Sequence, residues 1–158
     1  MNRLPPGILR HPLHSLALGF GLGAIPFAPG TFGTLLGVPI YLGLQFLPLS
    51  YYLIIVALLF YVGVVACGAT AQILGAEDPS PVVFDEVVGY LIAMTAAPAG
   101  WQWAVAGFVL FRLFDIWKPW PIRLLERQVR GGLGIMVDDA LAAGYTWLVL
   151  RVAARVVA

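Results

Sequence analysis

The sequence predicts an all-α helical bundle embedded in a membrane, and three observations carry that prediction. Apolar residues make up 61% of the chain, mean hydropathy is +0.91, and only nine basic and eight acidic side chains are present. From Ser15 to Ala76 there is no Asp, Glu, Lys or Arg. A soluble domain of 158 residues cannot hide that much apolar surface, so a bilayer has to act as its solvent. Period-two alternation is absent, which argues against a transmembrane barrel and leaves helices, whose backbone groups are satisfied within the segment.

The elements follow in order. Arg3 and Arg10 precede the apolar stretch Leu16 to Ala28, as in a signal peptide, but Gly19, Gly21, Gly23, Pro26, Pro29 and Gly30 punctuate it. No small-residue cleavage site follows, so the stretch reads as part of the fold. A first apolar block runs from Thr31 to Leu49, and Leu47-Pro48-Leu49-Ser50 turns into a second, Tyr51 to Leu74. At ~1.5 Å per helical residue both are long enough for a hydrocarbon core of ~30 Å. The third block, Val87 to Phe111, is broken by Ala97-Pro98-Ala99-Gly100. Each half reaches only ~17 Å, so the halves either borrow flanking residues or form a re-entrant hairpin shielded by other helices. A fourth block starts near Val137 and fades at Arg151 and Arg155. With no internal repeat or low-complexity linker, residues 1–158 read as one domain.

Charge gathers on one face. Glu77, Asp78, Asp85 and Glu86 fill one loop; Arg112, Asp115, Lys118, Arg123, Glu126, Arg127, Arg130, Asp138 and Asp139 fill another. An even number of crossings brings Arg3 and Arg10 to the same side, which the positive-inside bias makes cytoplasmic. Arg151 and Arg155 fit a further full crossing poorly, so the last helix either crosses or lies obliquely at the interface. A net charge of +1 and the lack of a basic tract interleaved with aromatics argue against a nucleic-acid partner. Oligomeric state is not legible.

Two adjacent acid pairs are the main chemical signal. Asp85-Glu86 precedes a run without charge to Phe111, and Asp138-Asp139 opens the apolar run Ala140 to Leu150. Side-by-side carboxylates repel, more so in low dielectric, and a divalent cation held between the pairs relieves that. Hard oxygen ligands favour magnesium, calcium or manganese.

Around them lie groups suited to phosphate. Arg112, Asp115 and Lys118 recur every third residue, on one face at a helix end that Pro119 and Pro121 stop. An ion pair of Asp115 with Arg112 or Lys118 is the plain reading; contact with a phosphate is the functional one. Trp117 and Trp120 suit the headgroup level. The glycines Gly131, Gly132 and Gly134 fit a helix cap or a flexible loop, and equally a backbone nest for an anion. Thr31, in Pro29-Gly30-Thr31-Phe32-Gly33-Thr34, reads as a helix N-cap whose neighbouring N–H groups could also meet an anion.

The other polar groups carry less. His11 and His14 read as interfacial packing, Glu77 and Asp78 as solvated loop acids, and Glu126, Arg127 and Arg130 as an exposed helical charge face. Cys67 reads as a packing residue, no Cys/His spacing suits zinc, and neither histidine has a serine elbow to serve. Cation ligands, basic residues and glycine loops at a membrane surface point to phosphate-ester chemistry, with cation-activated water or an aspartate as the attacking group.

The blocks Pro29-Gly30-Thr31-Phe32-Gly33-Thr34, Asp85-Glu86-Val87-Val88-Gly89, Phe111-Arg112-Leu113-Phe114-Asp115-Ile116-Trp117-Lys118-Pro119 and Gly131-Gly132-Leu133-Gly134-Ile135-Met136-Val137-Asp138-Asp139 together resemble the phosphatidylglycerophosphatase A family. Their order and spacing cover the chain from about His11 to Leu150. The resemblance implies a magnesium-dependent phosphatase of the bacterial inner membrane, converting phosphatidylglycerophosphate to phosphatidylglycerol. It implies metal ligation by Asp85, Glu86, Asp138 and Asp139, catalytic roles for Asp85, Asp115, Lys118, Asp138 and Asp139, and a central helix surrounded by others. Thr31, Arg112, Lys118, Arg123 and Gly132 are the candidate substrate contacts. One departure from the family pattern, Ala142-Ala143 before Gly144, shifts a helix-packing glycine. The rival readings are a phosphatase of another lipid phosphomonoester and a non-enzymatic membrane subunit with buried acids.

Overall fold

The computed structural model describes residues 4–126 and 128–157. Arg3, Arg127 and the side chain of Glu126 lie outside the described residues. Helices are the only regular structure among the described residues: α1 Pro12–Ala17, α2 Pro29–Leu44, α3 Leu49–Leu74, α4 Phe84–Ala93, α5 Trp101–Trp117, α6 Ile122–Glu126 and α7 Gly131–Val157, with short 3₁₀ turns at Ile8–Arg10 and Gly19–Ala24.

Two helices, α3 and α7, are long and apolar enough to cross a membrane. Pro48 starts α3, where its missing N–H costs nothing, and Gly75 ends it at φ 69°. Residues Leu53, Ile54, Leu58, Tyr61 and Val65 stand exposed along α3, an apolar outer face that suits lipid. The first apolar block is shorter than its composition suggests. Helix α2 stops at Leu44 after 16 residues, or ~24 Å, which leaves it below a full hydrocarbon span.

Helix α4 is the centre of the bundle, packed against α2, α3, α5 and α7. Val87, Val88, Tyr90 and Leu91 point in different directions around it, and all are buried. Its 10 residues make only ~15 Å, so it begins at the polar end and stops inside the bundle. Backbone groups around that buried stop must find partners within the bundle. The Tyr52 hydroxyl donates to the Leu91 carbonyl at 2.6 Å, and the Trp147 indole N–H donates to the Thr95 carbonyl at 3.1 Å. The Tyr90 hydroxyl donates to the Ala104 carbonyl at 3.0 Å, tying α4 to α5. The broken hairpin is therefore real: α4 is its short arm, and α5 lengthens the other arm by borrowing residues to Trp117.

Helix α7 begins at Gly131 rather than near Val137, and it continues past Arg151 and Arg155 to Val157. Gly132 explains the early start. A Cβ there would run into the Val64 carbonyl oxygen, so glycine lets α7 lie directly on α3. Packing thus overrides the low helix propensity of the glycine run. Further along, Ala142 and Ala143 are the packed small residues, and nothing lies near Gly144, so no packing glycine is shifted there. Arg151 lies over the Trp147 ring at 5.4 Å, which offsets part of the cost of a cation on an apolar helix. Arg130 precedes α7 and pairs with Glu77 at 3.7 Å, both exposed, instead of joining a charged helical face.

Candidate active site

The chain geometry brings the starts of α2, α4 and α7 and the end of α5 together. A cavity of about 250 Å³ opens there, lined by Pro29, Gly30, Asp85, Glu86, Arg112, Asp115, Lys118, Asp138 and Asp139, with Asp78 and Ser80 at its rim. The two acid pairs, more than fifty positions apart in the chain, face one space.

Each acid is placed by a simple local device. Asp85 and Glu86 occupy the first turn of α4, where the helix dipole favours negative charge. Gly30 makes room for Glu86, since a Cβ at that position would strike Glu86 Oε1. Asp115 sits in the last turn of α5, held by Arg112 one turn earlier through an Nη1–Oδ2 contact of 2.5 Å. Arg112 Nη1 also lies 3.7 Å from Glu86 Oε1, so one guanidinium ties α5 to α4. Lys118 caps α5 in a left-handed conformation, φ 47°, and its ammonium reaches Asp138 Oδ2 at 2.5 Å. That contact ties α5 to α7.

The carboxylates fall into two overlapping sets. Ligand oxygens of Asp85, Glu86 and Asp139 lie within 4.8 Å of one another, and so do those of Asp115, Asp138 and Asp139. Asp85 and Asp139 are only 6% and 4% exposed. Asp85 Oδ1, Glu86 Oε2 and Asp139 Oδ2 are buried with no hydrogen-bond partner among the described residues. Leaving a buried carboxylate oxygen without a donor costs several kcal/mol or forces the group to take up a proton. Burial, and then the charge of Glu86, pushes the Asp85 carboxyl well above the usual carboxylate range. Burial, followed by the charges of Asp139 and Asp115, does the same to Glu86. A divalent cation would supply what these oxygens lack, and the all-oxygen donor set fits a hard ion.

Three candidate contacts lie elsewhere. Thr31 is not the N-cap of α2. Ala28, at φ 46°, takes that place because Pro29 fits the first helical position, and the Thr31 N–H bonds to the Ala28 carbonyl at 3.0 Å. Gly132 is engaged with α3, away from the cavity lining. Arg123 is exposed and donates to the Trp117 carbonyl at 3.0 Å, bracing the exit of α5. The sequence reading missed Gly30 as the residue that admits Glu86, and it left Asp115 out of the cation-ligand set although Asp115 stands beside Asp138 and Asp139. The PGTFGT motif hinted at the first; nothing in the spacing announced the second.

A carboxylate cluster flanked by Arg and Lys, at one end of an all-helical bundle with two helices long and apolar enough to cross a membrane, fits one class of protein, a hydrolase of phosphate esters. Comparison with known proteins narrows that class. The family profile described as Phosphatidylglycerophosphatase A matches residues 15–154, and the chain belongs to that family of phosphoric monoester hydrolases. It is similar to phosphatidylglycerophosphatase A of Escherichia coli, with 46% identity over 135 residues covering 85% of this chain and 78% of that protein. The Haemophilus influenzae protein of the same name is 44% identical over 151 residues, 94% and 93% of the two chains. A Bacteroides thetaiotaomicron protein provisionally named a phosphatidylinositol-3-phosphatase is 42% identical over 150 residues, 90% and 93% of the two chains. No solved structure matches significantly.

Proposed function

We propose that this chain, acting as one domain, hydrolyses the terminal phosphate of phosphatidylglycerophosphate to give phosphatidylglycerol and inorganic phosphate, with magnesium as cofactor. The observation that carries the reading is the convergence of Asp85-Glu86 and Asp138-Asp139 on one cavity with Arg112, Asp115 and Lys118. The names of the E. coli and H. influenzae relatives support the substrate. Asp85, Glu86, Asp138 and Asp139 would hold the cation, which when bound would neutralise phosphate charge and polarise the ester.

The remaining steps belong to the chain's own groups. Lys118, bridged to Asp138 across the cavity wall, meets the transferred phosphate and offsets the charge that builds as the ester bond breaks. Arg112 holds Glu86 and Asp115 in place, and its planar fork suits the diester of a substrate that carries two phosphates. Leu113, Ile116 and Trp117 are exposed on the same end of α5, so the acyl chains remain in lipid while the headgroup enters the cavity. A monoester has an additional charge and an additional open oxygen compared with the product diester, which favours binding of substrate over product. The site is taken to face the cytoplasm of a bacterial inner membrane, because Lys118, Arg123 and Arg130 lie at its end of the bundle.

Phosphate release from a panel of phosphatidylglycerophosphate, phosphatidate and phosphatidylinositol 3-phosphate in mixed micelles tests the substrate. The first is expected to turn over at least about 10-fold faster than the others, a difference of ~1.4 kcal/mol in transition-state binding. The Bacteroides relative's name favours a second reading, action on a phosphoinositide, and preferential release from that lipid would establish it. No release from any lipid phosphate would leave a non-enzymatic membrane subunit.

A further inference from the structure

We propose that the centre is built for two divalent cations, with Asp139 shared between them and Asp115 a ligand of the second. This deepens the cation-dependent reading above and rests on it. The geometry supplies two sets of oxygens instead of one: Asp85, Glu86 and Asp139 on the α4 side, and Asp115, Asp138 and Asp139 on the α5 side. Only Asp139 belongs to both. It is 4% exposed, and its Oδ2 is buried without a hydrogen-bond partner among the described residues. A carboxylate can give one oxygen to each of two ions, and hydrolytic two-cation centres place their ions about 3.5–4 Å apart, within the span of one carboxylate.

The partners of the other acids agree. Arg112 contacts Asp115 through Oδ2, and Asp115 also stands against Asp139, the carboxylate that both sets share. Lys118 contacts Asp138 through Oδ2, on the side of the second set. In the first set, Asp85 Oδ1 and Glu86 Oε2 are buried without partners among the described residues. Each set therefore has open oxygen capacity in addition to its basic neighbour.

Charge balance favours two ions over one. Five ionised carboxylates against Arg112 and Lys118 leave three negative charges in the cavity. One divalent ion still leaves a net negative charge, which repels a phosphate monoester. A second makes the centre positive by one charge. Asp78, at the exposed rim, is screened by water and weakens that positive field without reversing it near the buried acids. Of the two loadings, the double one repels a doubly charged monoester less.

The test uses manganese as a spin-active probe with the full-length chain in detergent, first stripped with chelator. Equilibrium dialysis is expected to give two manganese ions per chain at saturation, and electron paramagnetic resonance an exchange-coupled spectrum in place of the six-line signal of an isolated ion. Asp115→Asn, close in shape to the native residue, is expected to lower the stoichiometry to one and restore the six-line signal, while elution volume and thermal melting report that the variant is folded. Saturation of the native chain at one ion with an uncoupled spectrum overturns the two-cation centre and leaves a one-cation phosphatase standing. Retention of two coupled ions in Asp115→Asn overturns the role of Asp115. No manganese binding at all overturns the cation-dependent reading itself. Should Asp115→Asn fail to fold, the native stoichiometry and spectrum decide the question alone.

Discussion

Replacing Lys118 with Met keeps most of the apolar stem and removes one charge from the cavity. The ammonium lies 2.5 Å from Asp138 Oδ2, with the two side chains 23% and 11% exposed, so this pair is neither a solvated surface bridge nor fully dry. A surface pair contributes ~0–1 kcal/mol and breaking a buried one costs ~3–5 kcal/mol, which brackets the expected loss of stability at about 1–3 kcal/mol. The expected kinetic loss is larger than folding alone explains. A preorganised donor facing developing phosphate charge is worth about 10²–10³ in turnover, or ~2.7–4 kcal/mol. Because the ammonium competes with a cation for Asp138, magnesium affinity should hold or rise while kcat falls. The assay is phosphate release against both substrate and magnesium concentration, on material whose folded fraction is matched by elution profile. Turnover within about 3-fold of the native chain would refute the catalytic role, and Lys118 would then be a side chain snorkelling to the interface beside Trp117 and Trp120.

Asn or Gln at any one of Asp85, Glu86, Asp138 or Asp139 should cut turnover by about 10² or more, and a double change should cost far less than the product of the singles, because ligands of one centre act as a unit; mild multiplicative losses would contradict a shared centre. In a Cys67→Ala background, Ser80→Cys and Gln128→Cys should both resist a membrane-impermeant thiol reagent applied from the periplasmic side and react after permeabilisation; labelling of either from outside contradicts a cytoplasmic site. Stability should depend on pH in a sense opposite to that of a salt-bridged carboxylate. Asp85 and Glu86 are held above their usual values of 3.8 and 4.5, so in chelator they bind protons more tightly folded than unfolded. The stability they contribute is full below pH ~4 and is lost as pH rises towards neutrality. The Tm of chelated protein should therefore fall as pH rises above the ordinary carboxylate range, and magnesium, which binds the ionised form, should reverse the fall; a flat or rising Tm in chelator would contradict burial of these acids in one centre.

Much of the fold was legible because the bilayer imposes simple rules. The charge-free stretch to Ala76 announced α3, and Pro98 and Gly100 announced the break between α4 and α5. The acid pairs stood out because adjacent carboxylates beside long apolar runs repel one another unless something offsets their charge. What stayed hidden depended on contacts across the bundle. The glycines before Asp138 look like a loop by propensity, yet Gly132 is helical because α3 presses its Val64 carbonyl against that point. Thr31 looks like a cap, yet Ala28 adopts the left-handed conformation that lets Pro29 start the helix. Arg123 turns to the Trp117 carbonyl, a contact its place in the sequence does not announce. Asp115 seemed committed to a local ion pair, and the pair with Arg112 does form. Its place in the acid cluster emerged only when α5 met α7.

Phosphate release from phosphatidylglycerophosphate by the purified chain, measured in excess chelator and again after magnesium is restored, bears most directly on the claim that the converging acids form a cation-dependent phosphatase centre. Turnover is expected to vanish in chelator, by at least about 10³-fold given how much of the transition-state charge the cation must carry, and to return in full with magnesium. Undiminished turnover in chelator, with no metal retained by the protein, would contradict it.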